Sequence, residues 1–545
     1  THLPSCASTY ASGGATTYAS TRTSTNGSRG VAARASLRAA VSARVLLWTT
    51  LMACALLSLA PSLGPAFGLG SGPAHAGEIA GHPDQLTFPE LTFTPPQPAD
   101  YRHQLDCGVT AYIAENHTVP TFELTILART GSMYEPVEKA GLAAMTGHLM
   151  RNGGAGDLTA SELDERLAYL AGSIDVRMSD DQARVSLFCL SKDVDEGLDL
   201  LRKVLREPVF DQAVLDRHRA DMLGELEQGN ASTASIEDRE WAFLLYGDHP
   251  CTNPYRRTAA SLESITREDV QSFHARFFFP ANFVVAVSGD FELRDALEKL
   301  DDLFAGWPSP RIMIPPITEQ VAKPAPGVYM IPKADVNQSR IRIGHLGVKR
   351  DIPEQYALML MNDILGGGGF SSRITRRVRS DEGLAYSAGS RFDRPVDYPG
   401  TFRAWFQTKH ATAAFGSRLI VDEIERIRKE RCSEETLAIA QASFIGNLVN
   451  PFSSKNSIVE TFAQDDFTGR PDDYWPKYQE NIESVTPEQV QEAARKFLHP
   501  DELIFLVVGD PEAVQAGSEK HPDRFADFGT VTVMPLRNPL TLAFE

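Results

Sequence analysis

The stretch with the clearest chemical potential is Gly141-Leu-Ala-Ala-Met-Thr-Gly-His148-Leu-Met150, an apolar run that reads as an amphipathic helix built around one histidine. A helix carrying His-x-x-Glu-His sets two imidazoles at i and i+4 on one face with a carboxylate beside them. Such a face can hold a zinc ion and activate its water. Here that frame reads Ala144-x-x-Gly147-His148. One ligand-type side chain stands where a metal site needs more, and glycine occupies the carboxylate position. For His148 alone, a hydrogen-bonded helix histidine is the simpler reading. A second chemical candidate, the glycine run 366–369, suggests a phosphate loop, but it follows a helix and lacks Gly-Lys-Ser/Thr, so that match fails.

The elements that must position these residues are best seen by comparing the chain with itself. Residues 263–292 and 483–512 align without a gap at an offset of 220, with twelve of thirty positions identical, among them Pro280/Pro500 and Gly289-Asp290/Gly509-Asp510. Each copy opens on Ser-x-Thr-x-Glu, which caps a helix. A proline ends that helix, and a β-branched run then forms a strand stopping at Gly-Asp. The chain is therefore two similar halves joined by a stiff proline-rich linker, with boundaries at 1–76 (leader), 77–308, 309–326 (linker) and 327–545. Val109–Glu115 and Thr121–Arg129 read as paired strands in the first half, as do Val328–Ile331 and Arg340–Leu346 in the second. Helices follow at Ala140–Met150 and Glu354–Leu365, and Thr159-x-x-Glu162 is a capping box. The first half continues with strands at Ser173–Met178 and Ala183–Leu190 and helices at Val194–Arg206 and Asp211–Gln228. Strands in short groups separated by helix pairs predict α+β halves with mainly antiparallel sheets.

Two such halves, the linker and the altered His-x-x-Glu-His helix resemble the pitrilysin/insulinase family of inverted-motif zinc peptidases. Further marks are Gly-Gly-Gly-Gly-Phe-Ser-Ser-Arg at 366–373, Val378-Arg379-Ser-Asp-Glu-Gly383-Leu-Ala-Tyr386, and Tyr246-Gly-Asp-His-Pro250. The resemblance covers about residues 85 to 515. It implies a clamshell chamber between halves. It also puts the first zinc ligand at Ala144, the general base at Gly147, the second ligand at His148 and the third at Glu225, 77 residues after His148. The family's supporting glutamate, seven residues before the third ligand, is His218 here. His218 cannot replace a ligand alongside Glu225, because seven helical residues separate them by ~10.5 Å. Two ligand positions of three survive and the base is gone, so this chain is expected to bind no cofactor of its own. Arg379 and Tyr386 match a family pair that holds the substrate carbonyl and stabilises the oxyanion. A surface arginine and a core tyrosine are the plainer alternative. The resemblance thus implies a zinc-less subunit whose partner carries the zinc site, acting on unfolded peptides. The rival expectation is an inactive scaffold in a larger assembly, and a third is a self-sufficient peptidase with an altered site.

Composition bounds these readings. The chain has 545 residues and a net charge of −18. Its first acidic residue is Glu78, after a stretch punctuated by Arg22, Arg29, Arg34, Arg38 and Arg44, an apolar run Val45–Ala60 and Ala74-His75-Ala76. That pattern predicts a secretory signal cleaved before Gly77, and with it an exported, periplasmic protein. A mitochondrial transit peptide and a lipid anchor at Cys54 are the alternatives, and prolines at 61 and 65 interrupt a membrane span. Cleavage would remove five arginines and no acids, moving the charge from −18 to −23. Such acidity argues against nucleic-acid binding and is compatible with cationic peptides. Cys107, Cys189, Cys251 and Cys432 contain no C-x-x-C pair; one or two disulfides are open to them, and burial as ordinary apolar residues is favoured.

Overall fold

A computed structural model of the chain describes residues 93–308 and 313–545. The leader, with its expected signal, and residues 309–312 of the linker lie outside the described residues.

Two six-stranded sheets organise the molecule. The first contains β1 (Arg102–Gln104), β2 (Thr110–Glu115), β3 (Thr121–Arg129), β4 (Ser173–Met178), β5 (Gln182–Leu190) and β6 (Phe283–Gly289). The second contains β7 (Gly327–Pro332), β8 (Gln338–Leu346), β9 (Ala388–Phe392), β10 (Thr401–Lys409), β11 (Ile504–Gly509) and β12 (Val531–Val533). Their orders are β1-β2-β6-β3-β5-β4 and β12-β7-β11-β8-β10-β9. The two match strand for strand except at one edge, filled by β1 in the first sheet and by β12 in the second. Most pairings are antiparallel; β6 runs parallel to β2, and β7 parallel to β11 and β12. With helices packed on both sheets, the fold is α+β.

The direct pairing expected for 109–115 with 121–129, and for 328–331 with 340–346, is corrected. The strand of the repeated unit lies between them in each half: β6 separates β2 from β3, and β11 separates β7 from β8. The cause is in the side chains. Every residue of β11 is buried, and only one of β6 is not. Strands apolar on both faces belong in the middle of a sheet, where both faces are covered. The repeated helices start as expected, although the capping partner is the third residue after the threonine. Asp269 returns to Thr266 and Gln489 to Thr486, in place of the glutamates one position earlier.

Each sheet is covered on one face by a helix from the other half. Helix Thr233–Tyr246 of the first half lies against β8 and β11, burying Ile236, Trp241 and Leu245 among Ile504, Leu506 and Val508. Helix Lys455–Phe467 of the second half lies against β2, β3 and β6. Polar pairs fix both contacts. The buried Glu237 accepts from Arg340 at 3.0 Å and from the buried Arg342 at 2.7 Å. Glu460 accepts from Thr125 at 2.9 Å and from Arg184, and Ser288 bonds Asn456 at 3.2 Å.

Among the described residues all four cysteines are free, three of them buried, and burial pushes the Cys189 and Cys251 thiols up to about 12. No helix among the described residues is long and apolar enough to cross a membrane.

Candidate functional site

His148 sits on helix Leu142–Asn152, which Gly141 enters in a left-handed conformation at φ +107°. The helix start is held from outside. The buried Glu135 carboxyl accepts from the N–H groups of Gly141 at 2.9 Å and Ala143 at 2.7 Å, supplying partners that helix N-termini otherwise lack. Burial raises Glu135 to about 7 despite these bonds. At the other end Arg151 Nε donates to the Ile174 carbonyl at 2.7 Å, tying the helix to the edge strand β4. Nothing in the local sequence marks Glu135 as a cap, since it lies outside the usual N-cap positions.

Along this helix Ala144 is exposed and Gly147 is buried. A Cβ at Gly147 would lie 2.7 Å from Met178 Cγ, so the last side chain of β4 fills the space where a carboxylate would project. His148 stacks face to face on His218 of helix Gln212–Glu227, with ring centroids 3.6 Å apart and planes 3° from parallel. Burial and, secondarily, the His218 ring lower His148 to about 4; burial also lowers His218. Both rings are therefore neutral at pH 7. The ring lone pairs of stacked imidazoles lie in parallel planes and do not converge on a shared ion. Glu225 is exposed and lines a separate cleft of about 300 Å³ with Met222, Asp238 and Arg257, a cleft that neither Ala144 nor His148 borders. Of the residues aligned with the zinc site, the structure joins His148 to His218 and leaves Glu225 apart. Among the described residues no three His, Cys, Asp or Glu side chains are grouped to hold a metal. This donor set does not fit zinc, which takes about three protein ligands in tetrahedral array.

The second region is built differently. Helix Gln355–Asn362 widens into a π-helical turn at Asp363–Gly367, and a second π-helical turn spans Arg376–Asp381. Such turns are rare and recur at functional sites. Both are pinned to β9: Ser390 Oγ donates to Asn362 Oδ1 at 2.9 Å and Thr375 Oγ1 donates to the Ala388 carbonyl at 2.8 Å. Gly383, at φ +63°, turns the chain between Arg379 and Tyr386. The Arg379 guanidinium then lies over the Tyr386 ring at 4.9 Å and the Phe370 ring at 4.3 Å, within cation–π range. Tyr386 is 87% exposed and Phe370 68%, unusual for large aromatic side chains. All three border one cleft of about 610 Å³, with Asp363, Trp405 and β9 on its other walls. The structure thus brings Arg379 and Tyr386 together at an open surface. Sequence reasoning left Phe370 without a role, although it follows the glycine run directly.

Comparison with known proteins finds relatives in both sequence and fold. A model described as Insulinase (Peptidase family M16) matches residues 110–243, and one described as Peptidase M16 inactive domain matches 264–444. A non-peptidase homolog, YmxG of Helicobacter pylori, is 22% identical over 398 residues, covering 73% of this chain and 90% of its own length. The crystal structure of a peptidase M16 inactive domain from Pseudomonas fluorescens superposes with a TM-score of 0.69 at 26% identity, over 75% of this chain and 97% of that one. The periplasmic protease PqqL of Escherichia coli gives a TM-score of 0.65 at 15% identity, over 83% of this chain and 49% of that one. In sequence and in fold, the chain belongs to the insulinase family, peptidase family M16.

Proposed function

We propose that this chain is a zinc-less, substrate-holding subunit of a two-chain pitrilysin-like metalloendopeptidase, exported to the periplasm by its basic and apolar leader. One observation carries this reading. Arg379 and Tyr386 meet over an open cleft, while the corresponding zinc-motif helix is filled by Met178 and a histidine stack. The name of the Helicobacter pylori relative, a non-peptidase homolog, fits a chain without ligand or base at 144 and 147.

In this role the partner supplies the hydrolytic site. An unfolded peptide adds its main chain to β9, the edge strand beside the cleft, and so is held without regard to most of its side chains. Arg379 N–H groups and the Tyr386 hydroxyl donate to the scissile carbonyl oxygen, and these bonds strengthen as charge develops there. Neither group is hydrogen-bonded within the described residues, so both are free for substrate.

The test is reconstitution. The purified chain is mixed with a zinc-bearing relative from the same genome, and cleavage of unstructured peptides is followed. A gain over the relative alone, lost in Arg379→Ala, is expected. No gain, or a gain indifferent to Arg379, would leave an inactive scaffold within a larger assembly as the better account.

A further inference from the structure

A third element crosses between the halves, and it is held differently from the two helices. Past the edge strand β12, Met534 N–H still donates to the Met330 carbonyl of β7 at 2.9 Å, and residues 534–545 then pass onto the first half. There they fold into a small loop. Asn538 N–H donates to the Ala543 carbonyl and Leu542 N–H to the Asn538 carbonyl, both at 2.8 Å, with Leu542 left-handed at φ +58°. Arg537 is the anchor. Its Nε donates at 3.0 Å to Glu240, a buried carboxylate on helix Thr233–Tyr246, and its guanidinium lies over the Phe243 ring at 5.1 Å. The Arg537 carbonyl accepts from Asn230 Nδ2 at 2.8 Å, and the Leu540 carbonyl accepts from Ala259 N–H at 2.8 Å.

Three observations mark this segment as separable from the fold. None of residues 526–545 is buried, whereas helix Thr233–Tyr246 is fixed by Ile236, Trp241 and Leu245 in the core. Segments with few buried apolar contacts open locally at far less cost than global unfolding. Glu240 is not orphaned when Arg537 leaves, because the neighbouring buried Arg239 donates to it at 2.9 Å. Nor is the surface beneath packed solid. Leu542 borders two clefts at once, one of about 580 Å³ with Phe243, Asp248 and Arg256, the other of about 300 Å³ with Glu225 and Asp238. Arg537 borders the first and Pro539 the second, so the segment is the partition between them.

We propose that residues 534–545 are a releasable strap, latched by Arg537 on Glu240 and Phe243, which fills a groove on the first half with the chain's own segment. While the strap is closed, the groove exists as two separate clefts. Once it opens, Glu225 and Phe243 share one continuous groove, and the receptor groups on Glu240, Asn230 and Ala259 become available to another segment. Access to this side of the first half is thus set by an intramolecular contact. The device does not depend on the Arg379 cleft or on the role proposed for it.

Hydrogen exchange on the full chain, followed by mass spectrometry, tests the strap, with Ala259 N–H reporting its docking from the receptor side. Arg537→Ala should speed exchange in 534–545 and in the peptide containing Ala259 by about tenfold or more, as loss of one partner of a buried charged contact does. Strand β11 and helix Thr233–Tyr246 should stay within about twofold of the unaltered chain, and Arg537→Lys should fall between. A second measurement uses a labelled synthetic peptide with the sequence of residues 534–545, read by fluorescence anisotropy. It should bind the full Arg537→Ala chain about tenfold or more tightly than the unaltered chain, whose own strap competes at high effective concentration. Unchanged exchange in 534–545, or faster exchange throughout the molecule, would overturn the strap as a separable element. Equal or absent binding of the peptide to the two chains would overturn the groove as a site that a strap closes.

Discussion

The His148 region and the Arg379 cleft occupy opposite halves of one pseudo-symmetric molecule and have been treated in opposite ways. At His148, packing has closed what chemistry would need open. Methionine fills the base position, the surviving imidazole is stacked on its neighbour, and an isolated capping carboxyl still holds the helix in place. At Arg379, hydrogen bonds to β9 hold two distorted turns so that charged and aromatic groups remain exposed. Well-packed interiors satisfy themselves; exposed aromatic and unpaired charged groups are left for something else to satisfy. The difference marks which of the two regions faces outward.

Four experiments would break or sharpen that contrast. The largest effect concerns the frame both regions share. Glu237→Ala removes the buried carboxylate shared by Arg340 and Arg342, leaving the buried Arg342 only the half-exposed Asp238, and should lower the unfolding free energy by about 3 kcal/mol, measured by urea titration, loosening both regions together. Next, Arg379→Ala should cut the partner-dependent hydrolysis rate about 100- to 1000-fold, as loss of one oxyanion donor does, whereas His148→Ala should leave it within about twofold. Third is the Glu135 cap. Its carboxyl is raised from 4.5 to about 7 in the folded chain, so its stabilising contribution is full below about 4.5 and is lost as pH rises through 7. Stability should therefore fall by on the order of 2 kcal/mol across that window, and Glu135→Gln should remove this part of the slope in denaturant midpoints compared at pH 5 and 8. Smallest, rebuilding the motif with Ala144→His and Gly147→Glu should not recover zinc, because Met178 occupies the carboxylate's place. It should instead destabilise the chain by about 1–3 kcal/mol through overpacking. Stoichiometric zinc in that variant, measured by elemental analysis, would show the site to be far less closed than its packing implies.

Much of the fold is legible in local pattern. Strands Thr121–Arg129 and Ser173–Met178 and helix Val194–Arg206 begin and end where their alternation and helical periodicity place them. The repeat at an offset of 220 carries the two-sheet plan. Strand order is not legible in the same way, because β6 pairs with β2 across more than 160 residues of intervening chain and local pattern is silent on that distance. The same limit applies to the sites. The spacing of Arg379 and Tyr386 can be read because a single glycine turn joins them. The stack of His148 on His218 links two helices 70 residues apart, and the Glu135 cap works through a loop; neither leaves a periodic trace.

The mutual covering of the two sheets has a wider consequence. Helix Thr233–Tyr246 and helix Lys455–Phe467 stand at equivalent places in the two halves, and each completes the other half's sheet. In a symmetric dimer such a contact is isologous, residue i of one copy meeting j of the other and j meeting i. The chain is arranged like a tandem fusion of two swapped protomers. Neither half is then a foldable module in isolation, since each would present an apolar sheet face to water. Because what each half owes the other is a helix, and that helix carries neither His148 nor Arg379, residues in either region can change while the architecture is kept.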